Sequence, residues 1–469
     1  MPKPKKSKQR PLISFVVSVY NLKRYIRDCL DSILSQPFDD YEILLVDNGS
    51  TDGGRKICEE YAAKFKQIRY YGLTGEPVLG RAIVHGAHKS LGKYIQFVDV
   101  DDMLAENIYD KVAKILKSKK PGVLFGRFLP VFEDKMLNFP DKGYDEKIIN
   151  NAEKDAKKAK EIALTYLAEN QPFILSTWRL IVSRDLCLFL KGVDERTVLQ
   201  KFFGLFRRKV KEVAISPNLH YDVCSLVYTI VAAWSVRYIN APIYKYRVRA
   251  SSISRITPTI QVSSCTTAMF DLIKITENIT QTKAEKTFAK AYSNQFYFQL
   301  ASALCTLSDS EVEQAADEID GFLKTRADLA ELKTDYEFLN NLIANGAKVV
   351  LKDLQEKSLE IISKNADKIK EKSNEIYLAP TGNVGTYLKT AFENAGIKIT
   401  AFFDNDDKKS DVQAGGVAIY KPEYVKDLIA QGKSPTIIIG TRYANVCDEL
   451  SRQFEDLGVK SDHILRVEF

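Results

Sequence analysis

The segment Tyr94-Ile95-Gln96-Phe97-Val98-Asp99-Val100-Asp101-Asp102 constrains this chain most, because an apolar run stops abruptly in three carboxylates. The run predicts a strand, and a side-chain period of two sends Asp99 and Asp101 to the same side. Acids gathered on a rigid strand end repel one another unless positive charge sits among them. A hard divalent cation carrying a diphosphate on its far side would supply that charge. A solvated turn into a helix near Ala105, with Asp101 or Asp102 as N-cap, accounts for the same residues. Both readings stay open at this point.

The preceding residues supply a setting. Leu12-Ile13-Ser14-Phe15-Val16-Val17-Ser18-Val19-Tyr20-Asn21 reads as a buried strand ending in a polar loop, and Tyr25, Ile26, Cys29, Leu30, Ile33 and Leu34 recur at helical spacing after it. Tyr41-Glu42-Ile43-Leu44-Leu45-Val46 is a second buried strand, ending in Asp47-Asn48-Gly49-Ser50-Thr51-Asp52, and the next helix carries Ile57, Tyr61 and Phe65 on one face. Short apolar strands alternating with amphipathic helices predict an α/β fold with a parallel sheet. Such sheets bind ligands beyond the carboxyl ends of their strands. Asn21, Asp47, Asn48 and Asp99 should therefore converge on one crevice.

These residues resemble the family 2 glycosyltransferases of GT-A fold. The family pattern P-V-Y-N is matched by Ser18-Val19-Tyr20-Asn21, and V-D-D-G-S-T-D by Val46-Asp47-Asn48-Gly49-Ser50-Thr51-Asp52. The pattern G-x-Y-I-x-F-x-D-x-D-D is matched by Gly92 through Asp102. The likeness covers about half the chain, from near Pro11 to Ser254. It implies a nucleotide-sugar site made by Tyr20, Asn21, Asp47, Asn48 and Gly49, with Asp47 or Asn48 accepting from a uracil N3–H. Asn48 stands where the family more often has a second Asp. The resemblance further implies Mn²⁺ or Mg²⁺ held by Asp101 and Asp102, with Asp99 toward the ribose. That ion would stabilise the leaving diphosphate. The family's A-R-N-x-G is altered to Ala82-Ile83-Val84-His85-Gly86. Nearby Arg81 either takes over a phosphate contact or caps a helix. His85 and His88 share a helix face and read as packing or surface residues.

The same resemblance extends to an acceptor half. Ser176 to Arg184 is similar to W-x-K-L-Y-x-R, and Asn218-Leu219-His220-Tyr221-Asp222, before a helix over Val223–Val236, is similar to L-R-Y-E-D. The resemblance makes Asp222 the general base of an inverting reaction; a helix N-cap is the alternative, and a gapless alignment from Leu219 would set Asp222 against the family's Glu and Val223 against its Asp. Tyr244 to Ser254 matches Y-x-Y-R-x-R-x-x-S-I-S. Trp178, His220, Arg247 and Arg249 become candidate contacts to the acceptor or diphosphate. Core tyrosines with exposed arginines are the alternative.

The likeness stops beyond Ser254. Residues 256–372 read as helices alone, with Phe296-Tyr297-Phe298 as core, bracing two domains or forming a homo-oligomer contact. Residues 373–469 resemble a small Rossmann-like domain in which Pro380 replaces the first glycine of the dinucleotide fingerprint and Asp404 follows at the ribose-binding distance. The charged run Asn151–Lys160 reads as a solvated helix face.

At 469 residues with 45% apolar content, the chain is long enough for several domains. Residues 1–10 form a basic tail and 11–255 the GT-A domain. Seven scattered cysteines predict reduced thiols, and no run is long enough to span a membrane. The predicted setting is the cytoplasm, with the inner face of the membrane open to the basic tail. No interleaved aromatic and basic pattern points to nucleic acid. The expected function is an inverting, metal-dependent glycosyltransferase that moves sugar from a nucleotide-sugar, a UDP-sugar first of all, to a glycan or lipid-linked glycan. Bacterial capsule or lipooligosaccharide synthesis is its expected context. The rival is a catalytically silent sugar-nucleotide-binding or scaffold protein.

Overall fold

A computed structural model describes residues 10–74, 79–132, 135–136, 145–150, 156–169, 177–190, 221–248, 258–280, 282–326, 329, 334, 336–372, 375–381, 383–405, 413–414, 416–441 and 444–468. Two compact units divide the chain: the first takes residues 1–168, 173–249 and 274–289, and the second takes 169–172, 250–273 and 290–469. The helical stretch after Ser254 is thus shared between the two units.

The first unit is built on β1 (Ile13–Val19), β2 (Tyr41–Asp47), β3 (Ile68–Gly72) and β4 (Tyr94–Asp99). These strands lie parallel in the order β3-β2-β1-β4. The helices between them are α1 (Ile26–Leu34), α2 (Gly54–Lys64) and α3 (Leu79–Lys89). Phe15, Val17, Ile43 and Leu45 pack with Ile26, Leu30 and Ile57 on one face of the sheet. The alternate residues Val16 and Val46 meet α3 on the other face. A Cβ on Gly86 would come within 2.2 Å of Val16 Cγ1 and 3.2 Å of Val46 Cγ2, so only glycine lets α3 lie this close. Covering both faces explains why the centres of β1 and β2 are apolar on both sides, at Phe15, Val16 and Val17 and at Ile43 to Val46.

Beyond β4 the sheet changes character. It continues through β5 (Met103–Leu104), α4 (Tyr109–Lys119), β6 (Val123–Phe132), β7 (Lys135–Met136), α5 (Glu146–Asn150), α6 (Ala156–Glu169), β8 (Leu180–Ser183), α7 (Arg184–Leu190), α8 (Tyr221–Ala232) and β9 (Val236–Val248). β8 pairs antiparallel with both β4 and β6, and β9 runs beside β6 with a register shift near Arg127. The result is a nine-stranded mixed sheet. The helix expected near Ala105 instead starts at Tyr109, because Met103 and Leu104 pair with Lys245 and Tyr244. The helix expected to reach Val236 stops at Ala232, and Val236 opens the longest strand.

The charged run before Lys160 does not end on a solvated face. Lys160, 4% exposed, forms a 2.6 Å ion pair with equally buried Glu285 and donates to the Val231 carbonyl. Removing one partner leaves the other charge stranded in a low-dielectric interior. Lys160→Met is expected to cost about 3–5 kcal/mol of stability, and pairing it with Glu285→Leu should return most of that. Melting temperatures of the single and double variants check this. A double variant no more stable than the single one would contradict it.

The helices after Ser254 are α9 (Pro258–Ile279), α10 (Lys283–Leu304), α11 (Asp309–Thr325), α12 (Glu337–Asn345) and α13 (Ala347–Lys370); α9 and α10 are divided between the units, while α11 to α13 and a six-stranded sheet belong wholly to the second. That sheet contains β10 (Ile376–Ala379), β11 (Ala401–Phe403), β12 (Gln413–Ala414), β13 (Val417–Tyr420), β14 (Thr436–Ile439) and β15 (Ile464–Arg466). Its order, β12-β13-β11-β10-β14-β15, is parallel apart from β12. Ile376 and Leu378 face Ile362, Ala366 and Ile369 of α13. Tyr377 and Ala379 face Val425, Leu450 and Phe454. Phe296 is buried, as expected for core.

Candidate functional site

The strand ends of the first unit finish level with one another. Ser18 pairs with Asp99 across β1 and β4, and Val19 pairs with Asp47 across β1 and β2. Asp47, Asn48, Asn21 and Asp99 therefore meet at one edge, as the sequence predicts. Asp47 is buried and both its oxygens are used: Oδ1 accepts from Ser50 N–H at 2.8 Å and Oδ2 from the Tyr70 hydroxyl at 2.9 Å. Burial and the neighbouring Asp47 charge push the Tyr70 phenol up. Asn48 N–H donates to the Val19 carbonyl at 2.7 Å, and its side chain is buried. Gly49 follows at φ 93°, a left-handed turn that glycine adopts without strain.

Asn21 sits at φ 56°, in the left-handed region that Asn tolerates better than most residues. Its N–H donates to Ser50 Oγ at 2.8 Å, and its Oδ1 accepts from Thr51 N–H at 2.9 Å. Lys23 N–H donates to Asp52 Oδ2 at 2.7 Å. These contacts lock the loop after β1 to the loop after β2. Tyr20 lies on that loop, 45% exposed. A cleft of about 600 Å³ borders the loops, walled by Leu22, Lys23, Arg24, Arg27, Asp52 and Ile57. The acids after β4 are not among its walls.

Those acids divide in role. Asp99 and Asp101 are half-buried, and Ser18 Oγ lies 3.2 Å from Asp99 Oδ1. Asp102 is 1% exposed, with Oδ1 accepting from Arg247 N–H at 2.6 Å and Oδ2 from the Tyr244 hydroxyl at 2.9 Å. Burial, then the charges of Asp101 and Asp99, push its carboxyl well above the usual range, against the pull of those two hydrogen bonds. Both oxygens of Asp102, expected as a metal ligand, are hydrogen-bonded inward to β9, and Asp99 and Asp101 are the less buried carboxylates of the three. The chain turns after Asp99, where Asp102 N–H meets the Asp99 carbonyl at 2.9 Å, so strand alternation no longer governs where Asp102 points.

Two expected substrate contacts are likewise internal. The Arg247 side chain is 3% exposed; its Nε donates to the Asp101 carbonyl at 2.8 Å and its Nη2 to Asp28 at 3.1 Å, with Tyr25 beneath. Trp178, 5% exposed, stacks on Tyr244 at 4.5 Å and on Tyr246 at 5.4 Å. Neither offers a free face to an acceptor. Arg81 donates to the Thr74 carbonyl. Burial and the charges of Lys89, His88 and Arg81 hold His85 below the usual imidazole range, and its ring packs edge-on to Tyr71. His220 and Arg249 lie outside the described residues, as does the side chain of Asp222. The backbone of Asp222 stands in the first turn of α8, one residue past its start.

Among the described residues, no three metal-ligating side chains form a closed group. Asp99 and Asp101 offer oxygen alone, the donor type of Mg²⁺ and Mn²⁺, which commonly take one or two carboxylates and complete their shells with phosphate and water. The residues fit such an ion shared with a diphosphate. In the second unit, Asp404 Oδ2 accepts from Thr381 N–H at 3.0 Å and from the Thr381 hydroxyl, so that acid braces the turn after β10.

The sequence alone did not single out Tyr70 or Tyr244 as partners of these acids. The Y-x-Y-R spacing was the one available signal, since it sets Tyr244 and Tyr246 on one face of β9.

Comparison with known proteins agrees with this geometry. Residues 14–212 match Glycosyl transferase family 2. Glycosyltransferase GlyA of Streptococcus pneumoniae is 25% identical over 275 residues, 57% of this chain and 35% of the relative. Minor teichoic acid biosynthesis protein GgaB of Bacillus subtilis is 29% identical over 109 residues, 23% of this chain and 12% of the relative. The chain thus spans about a third of the first and an eighth of the second. The crystal structure of S. aureus TarS 1–349 in complex with UDP superposes with a TM-score of 0.50 at 16% identity. It covers 76% of this chain and 92% of that one, a likeness of fold.

Proposed function

We propose, from the premise that this chain belongs to glycosyltransferase family 2, that it transfers a sugar from a nucleotide-sugar to a glycan acceptor with inversion at C1. The observation that carries this reading is the level meeting of Asp47, Asn48 and Asp99 at the ends of β2 and β4, beside the Asn21 loop. Tyr20, Asn21, Asp47, Asn48 and Gly49 form the wall for base and ribose, with Asp99 toward the ribose. A UDP-sugar is the proposed donor, since a buried amide at Asn48 can serve a uracil edge. Asp101, with Asp99, would hold a divalent cation. Such an ion, when bound, neutralises charge that develops on the departing diphosphate.

The protein's own residues supply the rest. Asp222 takes the acceptor hydroxyl proton as that oxygen attacks C1 from the face opposite the diphosphate. The bond from C1 to the phosphate oxygen breaks, and its electrons leave with the nucleoside diphosphate. The relationship to a teichoic acid biosynthesis protein supports a bacterial surface polymer as the product. Among the described residues no helix is long and apolar enough to cross a membrane.

A panel of sugar nucleotides, assayed for transfer and hydrolysis with and without Mn²⁺, tests the proposal. Mn²⁺-dependent release of UDP from one donor is the expected result. Donor binding without turnover on any acceptor or water would favour a silent binding protein instead.

A further inference from the structure

Tyr244 sits within β9, far in sequence from the acids after β4, yet its hydroxyl lies between two of them. It accepts from Asp99 N–H at 3.1 Å and donates to Asp102 Oδ2 at 2.9 Å. The ring cannot wander: it is fully buried and lies 4.5 Å from Trp178 at an interplanar angle of 18°. Arg247 adds a second clamp, its N–H on Asp102 Oδ1 at 2.6 Å and its Nε on the Asp101 carbonyl at 2.8 Å. Leu104, just past the acids, pairs with Tyr244 in the sheet. The turn from Asp99 to Asp102 is thus held by β9 at three successive places, and the two remaining carboxylates point wherever that turn aims them.

We propose that Tyr244 is a positioning residue for the donor, its hydroxyl bridging Asp99 N–H and Asp102 so that Asp99 and Asp101 present their carboxylates to a metal-bound nucleoside diphosphate. The proposal rests on the donor site described under the proposed function. Asp102 on this account is the anchor of the latch, a buried acceptor of two hydrogen bonds from β9. The phenol oxygen is the one atom that Tyr244→Phe removes, leaving the ring and its stacking in place. Groups that orient metal ligands from behind typically change metal affinity or activity by about 10- to 100-fold. Tyr109→Phe is the matched control. Its hydroxyl is equally buried and bonds Gln96 Oε1 at 2.6 Å and the Ile243 carbonyl at 3.3 Å, but it touches none of the acids.

The experiment is a Mn²⁺ titration of the full chain in saturating UDP, followed by the signal of free Mn²⁺, alongside melting temperature. Tyr244→Phe should raise the Mn²⁺ dissociation constant by about tenfold or more. Tyr109→Phe should lower the melting temperature and leave the Mn²⁺ constant unmoved. Equal Mn²⁺ affinity in wild type and Tyr244→Phe overturns the latch while sparing the donor site. A wild-type protein that binds no Mn²⁺ with UDP overturns both. Should Tyr244→Phe not fold, hydrogen exchange on the wild type decides: the Asp99 and Arg247 amides are expected to exchange as slowly as the centre of β4. Exchange at the rate of open loops refutes the proposal.

Discussion

Asp101→Asn is expected to lose about 10²–10³-fold or more in transfer while the metal-free protein becomes more stable, not less. The loss follows from removing the half-buried carboxylate proposed to hold the cation. The gain follows from charge crowding. Asp102 is buried with its carboxyl pushed well above the usual range, and after burial itself the largest cause is the charge of Asp101. A carboxyl whose folded pKa exceeds its unfolded value costs stability as pH rises through that range, because the unfolded chain gives up its proton first. Neutralising residue 101 lowers the folded pKa of Asp102 toward its ordinary value and relieves part of that cost at neutral pH. Below about pH 4 both states hold the proton and the relief vanishes. Turnover with added Mn²⁺, and melting temperature at neutral and acid pH, measure the two effects separately. Wild-type turnover in Asp101→Asn, or full wild-type activity in excess chelator, would remove the metal from the proposal.

Asp222→Asn is expected to lower turnover by about 10²–10⁴-fold, since an amide cannot accept the acceptor's proton. Donor affinity should stay near wild type, because the base acts on the other substrate. The position of Asp222 separates this loss from a folding defect. Its backbone lies in the first turn of α8, where an acid favours the helix dipole by about 0.3–1 kcal/mol. Asn retains the hydrogen-bonding shape and gives up that modest amount. A stable Asp222→Asn enzyme with normal turnover would send the search for the base elsewhere in the acceptor half.

The strands and the meeting of their ends were legible because local periodicity decides them. Phe15, Val17 and Val19 alternate with Val16 and Ser18, and no distant residue is needed to see that β1 ends near Asn21. The roles of Asp102, Arg247 and Lys160 were not legible, for one shared physical reason. Each is a charged residue whose exposure depends on a partner more than a hundred positions away: Tyr244 for Asp102, Asp101 and Asp28 for Arg247, Glu285 for Lys160. Strand alternation placed Asp99 and Asp101 together but had no authority past the turn at Asp102. A charge run signals water only when nothing else in the fold can meet it.

The contacts between the loops after β1 and β2 bear on how this chain could change its donor over time. Asn21 reaches Ser50 and Thr51, and Lys23 reaches Asp52, so neither loop keeps its course without the other. A replacement at Asn21 removes an acceptor that Thr51 depends on, and a replacement at Asp52 frees the turn that starts α1. On the proposed donor site, a new donor preference is therefore expected to need paired replacements. The loops behave as one heritable part, to be exchanged with a relative together or not at all.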